Sequence, residues 1–237
     1  MIEMIVISSG GFFSALQALI PVYEQKIGKK ITLFSGSSMG TSPTSIPARL
    51  KSGEEADVIV MAGPELDKMI EDGFAVPGSR TDLVFSKIGM VVRSGEPQPD
   101  ISSKDAFVRT VLDAKSLGYS ASASGTYLAQ ELFPKLGLWE QIEEKSKLVV
   151  KDRVAEWVAR GDLEIGFQQV SELLPIPGVD FVGALPDEVQ KVTIFSAGLV
   201  ANSKNIDEAK ALLNFLTSPE ADPIIIEKGL EPATPRN

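Results

Sequence analysis

The hydrophobic pattern alternates between short apolar runs and longer segments in which apolar residues recur every three or four positions. The first run, 4–8, is rich in β-branched residues, which favours a strand. The next segment has apolar residues at helical spacing: Phe12, Leu16, Leu19, Ile20, Tyr23 and Ile27. Because this alternation continues to the end of the chain, the sequence predicts an α/β fold.

The same criteria predict the other elements. Strands are predicted at 30–34, 56–61, 87–93, 117–121, 147–151, 163–168 and 179–182 and within 189–201, and helices at 46–51, 64–70, 103–112, 126–135, 152–160, 206–216 and 219–228. Ser103 and Asp152 are predicted N-caps, and Ser218 followed by Pro219 predicts the start of the last helix.

Two strand-like stretches with turn residues nearby, 78–87 and 186–193, have the pattern of crossovers between lobes. They predict a discontinuous first lobe, formed by 1–81 and 191–237. The inserted second lobe is then 82–190.

Composition narrows the function. The chain is 43% hydrophobic and carries a net charge of −9, and it has no basic block, so we expect no nucleic-acid partner. It contains no cysteine and no histidine, which excludes thiolate and Ser-His-Asp catalysis. We therefore predict neither a metal nor a cofactor, and any proton transfer must use Asp, Glu, Lys or Tyr.

The first seven residues lack the basic segment and the length of a signal peptide, and no apolar run is long enough to span a membrane. We expect a periplasmic protein if a signal peptide was removed before this start, and a cytoplasmic one otherwise. The absence of cysteine is compatible with both.

Three turns rich in Ser, Gly and Thr each lie between a strand and the start of a helix. Helix N-termini present unpaired N–H groups and a partial positive charge, so such turns bind oxyanions and carboxylates. The alternative is that these residues only cap helices and form turns. The turns are Ser8-Ser9-Gly10-Gly11, Ser37-Ser38-Met39-Gly40-Thr41 and Ser122-Ala123-Ser124-Gly125-Thr126-Tyr127.

These turns, with the Ala56-Asp57-Val58 strand and the Lys135-Leu136-Gly137-Leu138-Trp139 helix end, resemble in order the molybdate-type substrate-binding proteins of ABC transporters. The resemblance covers nearly the whole chain. It implies the two-lobed type 2 periplasmic binding fold, each lobe a mixed sheet flanked by helices, with a small anion held in a cleft between the lobes. The ligand-binding residues that it implies are Ser9, Gly10, Gly11, Ser37, Ser38, Ser124, Gly125, Thr126, Lys151 and Gln169.

The chain departs from the molybdate-binding pattern at several of these positions. Gly11 stands where a serine is usual, Gln169 where a tyrosine is frequent, and Lys151 where the backbone usually suffices. These differences favour a small di- or tricarboxylate over a compact tetrahedral oxyanion. Lys151 is equally consistent with a solvent-facing lysine at a strand end, and the neighbouring Gln168 is the alternative to Gln169.

The sequence also resembles aconitate isomerase, an enzyme on this same fold, in its 8–12 and 166–173 segments. That resemblance implies movement of an allylic proton on a tricarboxylate, for which Lys151, Tyr127 or Glu172 would be the base. The first hypothesis is nevertheless a monomeric binding protein that takes a small anion and delivers it to an ABC permease. The isomerase is the alternative, and an anion-sensing regulatory module is the third.

Overall fold

A computed structural model describes residues 4–233 of the chain. The strands are β1 (Met4–Ser8), β2 (Ile31–Ser35), β3 (Val58–Ala62), β4 (Thr81–Ser86), β5 (Ile88–Arg93), β6 (Leu117–Ser120), β7 (Ser146–Val149), β8 (Ile165–Gln169), β9 (Val179–Ala184), β10 (Thr193–Leu199) and β11 (Glu231–Pro232). The helices are α1 (Gly10–Ile27), α2 (Ile46–Lys51), α3 (Gly63–Glu71), α4 (Lys104–Asp113), α5 (Ala123–Thr126), α6 (Phe133–Lys135), α7 (Trp139–Ile142), α8 (Val154–Arg160), α9 (Val170–Leu173), α10 (Ile206–Leu216) and α11 (Asp222–Glu227). A π-helical segment, Tyr127–Leu132, joins α5 to α6. The predicted α/β fold is confirmed.

The chain forms two compact units, each with its own sheet. The first unit contains the residues up to Ser86 and those from Thr193 onward, and the second contains Lys87–Val192. The first unit therefore keeps all of β4, which a boundary after residue 81 would have separated from its partner. The reason is strand pairing, since β4 is antiparallel to β10 and Ser86 at the end of β4 pairs with Thr193 at the start of β10.

The six-stranded sheet of the first unit has the order β11-β4-β10-β3-β1-β2. Because β1 is parallel to β2 and β3, the carboxyl ends of these three strands lie at one edge. The amino end of β10 reaches the same edge, since Phe195 pairs with Ala62 in an antiparallel ladder. One sheet face packs against α1, α10 and α11, and the other packs against α2 and α3.

The five-stranded sheet of the second unit has the order β7-β6-β8-β5-β9. β6 is parallel to β7 and β8, so the carboxyl ends of these strands share an edge. Phe107, Phe133 and Phe167 pack together in the core of this unit, with ring centroids 5.9–6.5 Å apart. A second apolar cluster lies between α8 and the sheet.

Local capping explains where two predicted helix starts were wrong. Arg153, not Asp152, precedes α8, because the Asp152 carboxylate accepts from the Trp157 indole at 3.0 Å instead. The last helix begins at Asp222 and not at Pro219, since the Ser218 hydroxyl donates to the Phe215 carbonyl at 2.7 Å. The Ser103 cap is confirmed: its Oγ accepts from the Ala106 amide.

Asp57 is a buried carboxylate that ties together three segments of the first unit. Its Oδ2 accepts from the Ile5 amide at 2.8 Å. Its Oδ1 accepts from the Ser203 hydroxyl at 2.6 Å and from the side-chain amide of Asn205 at 3.2 Å. The carboxylate thus joins β1 and the start of β3 to the segment before α10.

We expect Asp57→Ala to lower the free energy of unfolding by about 3 kcal/mol, because three donors lose their acceptor at once. Ser203→Ala removes one of these donors and should cost about 1 kcal/mol. Urea denaturation of both variants checks this. Equal losses in the two variants would show that the carboxylate does not anchor the three segments.

Candidate functional site

In the first unit the predicted turn residues meet at the carboxyl edge of the sheet. The Ser9 amide donates to the Val60 carbonyl at 2.8 Å, and the Gly36 amide donates to the Ser8 carbonyl at 3.0 Å. The Ser38 hydroxyl accepts from the Ala62 amide at 2.9 Å. The turns after β1 and β2 and the end of β3 are therefore held side by side.

Ser9 carries an unusual hydroxyl. It precedes the 18-residue helix α1 in the N-cap position, but its side chain makes no capping hydrogen bond. The residue is only 3% exposed, and its Oγ is the one fully buried side-chain nitrogen or oxygen in residues 4–233 that lacks a hydrogen-bond partner. A buried unsatisfied hydroxyl costs free energy, and at a helix N-terminus such a group is available to donate to an anion.

Ser37 and Ser38 differ in how their hydroxyls are used. The Ser37 hydroxyl donates to the Met39 carbonyl at 2.7 Å, which stabilises the turn itself. The Ser38 hydroxyl accepts a hydrogen bond from Ala62, which leaves its own proton for a ligand acceptor. Ser38 is thus better placed than Ser37 to bind an anion through its side chain.

Gly11 is required by packing. A Cβ atom on Gly11 would overlap the tip of the Phe195 ring, which is itself buried on β10. Sequence analysis did not single out Phe195, because the residue belongs to a β-rich run and is distant from Gly11 along the chain. The glycine at position 11, where the family usually has a serine, is thus matched by the Phe195 ring, which fills the space beside it.

In the second unit, three serine hydroxyls form a cluster at the carboxyl end of β6. The Oγ–Oγ distances are 2.7 Å from Ser120 to Ser122, 3.2 Å from Ser122 to Ser124, and 3.4 Å from Ser120 to Ser124. Ser120 was not among the predicted residues, although the alternating serines at 120, 122 and 124 were a signal for it. A cluster of hydroxyls can turn its protons toward an anion without moving the backbone.

Gly125 and Thr126 complete this turn. A Cβ atom on Gly125 would overlap the Ser120 carbonyl, so only glycine lets the helix start this close to β6. The Thr126 amide donates to the Ser122 carbonyl at 2.9 Å and is used in the first turn. Their roles here are to shape the backbone around Ser124.

The ends of β7 and β8 place the remaining predicted residues at the same edge of the second sheet. Lys151 lies in the bend after β7 and is exposed, whereas Gln169 ends β8 and is 2% exposed. The side-chain amide of Gln168 makes two hydrogen bonds within the unit. Its oxygen accepts from the Val154 backbone amide and its nitrogen donates to the Glu172 carboxyl, both at 3.0 Å.

Glu172 has the most perturbed carboxyl in this part of the chain. Burial raises its pKa from the ordinary 4.5 to about 7, although Arg153 and the hydrogen bond from Gln168 act in the opposite direction. It lies on α9, immediately after β8, and is one of the three bases that the resemblance to aconitate isomerase implies. A carboxyl with this pKa exchanges a proton readily near neutral pH.

Tyr127 is less suited to accept a proton. Its hydroxyl donates to the Val189 carbonyl at 3.1 Å. Burial, and to a smaller extent Glu131, raises the pKa of the Tyr127 phenol above its usual value. The Lys191 ammonium lies 4.8 Å from the centre of the ring. These contacts hold the side chain against the segment that leads out of the unit.

A family model described as bacterial extracellular solute-binding protein matches residues 4–231. The chain belongs to this family. It is 43% identical over 227 residues to an aconitate isomerase from Pseudomonas sp., across 96% of this chain and 87% of the relative. It is 28% identical over 231 residues to the molybdate-binding protein ModA of Rhodobacter capsulatus, with the same coverage of 96% and 87%.

The periplasmic molybdate-binding protein of Azotobacter vinelandii has a structure that superposes with a TM-score of 0.77 at 20% identity, covering 99% of this chain and 100% of that one. The resemblance to the molybdate-type family, with its aconitate isomerase-like members, is confirmed, as is the type 2 periplasmic binding fold. The proteins of this family are described as extracellular. In residues 4–233 no helix combines the length and apolar character of a membrane span.

Two N-cap serines make a matched test of the buried hydroxyl. We expect Ser9→Ala to leave the melting temperature of the ligand-free protein unchanged or higher, because no hydrogen bond is lost. Ser103→Ala should cost about 1 kcal/mol, since its Oγ caps α4. A clear destabilisation by Ser9→Ala would show that the hydroxyl has a structural partner.

The pKa of Glu172 predicts a pH effect on stability. The folded-state pKa is raised, so the stabilisation present below about pH 4.5 is lost as pH rises through about 7. The loss amounts to about 3 kcal/mol for a shift of this size. Glu172→Gln should therefore melt higher than the wild type at pH 8, and the gap should close toward pH 5.

Thermal denaturation from pH 5 to pH 8 checks this, with Glu144→Gln as the control for loss of an exposed carboxylate. A gap between wild type and Glu172→Gln that is the same at both ends of the range would contradict the raised pKa.

Proposed function

We propose that this protein binds a small unsaturated polycarboxylate of the aconitate type and isomerises it by moving an allylic proton. The observation that carries the proposal is Glu172, a carboxyl with a pKa of about 7 on the helix that follows β8, whose carboxyl end shares a sheet edge with that of β6. The proposal is further supported by the chain's 43% identity to an aconitate isomerase across 96% of its length.

The donors of the two units suit carboxylates. In the first unit they are the Ser9 and Ser38 hydroxyls with the N-terminus of α1, and in the second they are the Ser120, Ser122 and Ser124 hydroxyls. Lys151 and Arg153 add positive charge at the edge of the second sheet in a chain whose net charge is −9. A tricarboxylate offers six acceptor oxygens, which matches several separated donors better than one compact ion does.

The proton shift needs one base and no redox partner. The base removes a proton from the methylene carbon of the ligand while the double bond moves toward that carbon. The proton then returns to the former vinyl carbon, so that atoms and electrons balance. A carboxyl with a pKa of about 7 serves both steps at neutral pH, as carboxylate first and as carboxylic acid second.

Of the three predicted bases, Glu172 is supported best. The Tyr127 hydroxyl donates to Val189, and its raised pKa makes the phenolate scarce. Lys151 remains a candidate for binding a carboxylate through its ammonium group. The donors around the ligand stabilise the negative charge that develops when the methylene proton leaves.

The test is a thermal-shift panel followed by an assay of turnover. cis-Aconitate and trans-aconitate should raise the melting temperature more than citrate, molybdate, tungstate, sulfate or phosphate does, since a ligand that binds the folded state stabilises it. Incubation with either aconitate should produce the other isomer, followed by absorbance. Glu172→Gln should lower kcat by about 100-fold or more.

Variants in each unit separate binding from chemistry. Ser9→Ala tests the turn of the first unit and Ser124→Ala the turn of the second, and each variant should weaken the aconitate-induced shift. Lys151→Ala should raise KM more than it lowers kcat. Aconitate binding without turnover would indicate a binding protein and not an isomerase. Undiminished turnover in Glu172→Gln would exclude Glu172 as the base.

The second candidate is a receptor that delivers an anion to an ABC permease. It is favoured by the likeness to the molybdate-binding protein ModA. On this proposal the protein is a periplasmic monomer with a permease partner. Stabilisation by molybdate or tungstate alone, with no change in either aconitate, would decide for this function.

A further inference from the structure

Phe195 occupies the space into which any side chain at position 11 would project. A Cβ atom built on Gly11 would meet the Cζ, Cε1 and Cε2 atoms of the Phe195 ring. The ring is 4% exposed and belongs to the apolar core beneath α1, so it has little freedom to move away. Gly11 and Phe195 are therefore a complementary pair.

This pair lies among the donor groups of the first unit. Gly11 is the second residue of α1, next to the turn that carries the unpartnered Ser9 hydroxyl. Phe195 pairs across the sheet with Ala62, whose amide donates to the Ser38 hydroxyl. The ring thus reaches from the end of β3 to the first turn of α1.

We propose that Phe195 is a specificity-determining residue, which excludes a side-chain donor at position 11 and gives this turn an apolar wall. The inference rests on the proposed function and names the property of the ligand that is selected. An anion with a carbon skeleton packs its CH and CH₂ groups against a ring, whereas a tetrahedral oxyanion needs hydrogen-bond donors around all of its oxygens.

The test replaces the Phe195 ring by a smaller apolar side chain and then introduces a hydroxyl donor at position 11. Phe195→Leu removes the three ring atoms that would overlap a Cβ on Gly11 and keeps an apolar residue in the core. The double variant Phe195→Leu with Gly11→Ser then adds a hydroxyl. The matched control, Phe195→Leu with Gly11→Ala, adds the Cβ alone.

Dissociation constants for sodium molybdate, sodium sulfate and cis-aconitate are measured by calorimetry on the wild type and all three variants. We expect the Gly11→Ser double variant to bind at least one tetrahedral oxyanion about tenfold more tightly than the Gly11→Ala control, the worth of one hydrogen bond to a charged group. Its affinity for cis-aconitate should fall below that of the wild type. Equal oxyanion affinity in the two double variants would overturn the proposal.

Two further measurements keep the test decisive. If the double variants do not fold, Phe195→Leu alone should still lower the ratio of cis-aconitate affinity to molybdate affinity, and an unchanged ratio overturns the proposal. Gly11→Ser without the change at Phe195 should lose much of its thermal stability, and a native melting temperature would remove the steric premise. A wild type that does not bind cis-aconitate refutes the proposed function itself, and this is measured before any variant.

Discussion

Parallel strand pairing is the constraint on which the arrangement of the site depends. In each unit three neighbouring strands point their carboxyl ends to one edge of a sheet, so turns that are far apart along the chain become neighbours. The helices that follow these strands then start at that edge, and each brings its unpaired amide groups with it. Helix N-termini supply positive potential at such an edge, so the anion site proposed for it needs only short side chains.

In each unit this edge carries a polar group that the fold would otherwise avoid burying. Ser9 keeps a hydroxyl without a partner, and Glu172 keeps a carboxyl whose charge is disfavoured by burial. Most other buried polar groups of the molecule are paired, as the three hydrogen bonds of Asp57 illustrate. Burial of Ser9 and Glu172 thus destabilises the fold at the positions where ligand chemistry is proposed, whereas paired groups such as Asp57 stabilise it.

Sequence reasoning found what is encoded locally. The turns at 8–11, 37–41 and 122–127 follow from strand and helix periods together with Ser and Gly residues, which is why their place in the fold could be predicted. It missed what depends on residues far apart in sequence. Phe195 was missed because its ring meets Gly11 only in the fold. Glu172 was named as a candidate base from the resemblance alone, and its raised pKa comes from a burial that the sequence does not show.

The wrong helix starts show the same limit on a shorter scale. Asp152 and Ser218 are good capping residues by type, but each side chain has a partner other than the predicted helix start. Asp152 accepts from an indole of the helix that it was expected to cap, and Ser218 bonds back to the preceding helix. Residue type gives the capacity to cap, whereas the surrounding geometry decides which bond is made.

The raised pKa of Glu172 has a consequence for calorimetry that stems from composition. Histidine and cysteine, the side chains that most often exchange protons with the buffer near neutral pH, are absent from the sequence. A negative ligand beside Glu172 would favour its protonated form, so association would draw a proton from the buffer. The observed heat of association would then vary with the ionisation enthalpy of the buffer, and its slope would count the protons taken up.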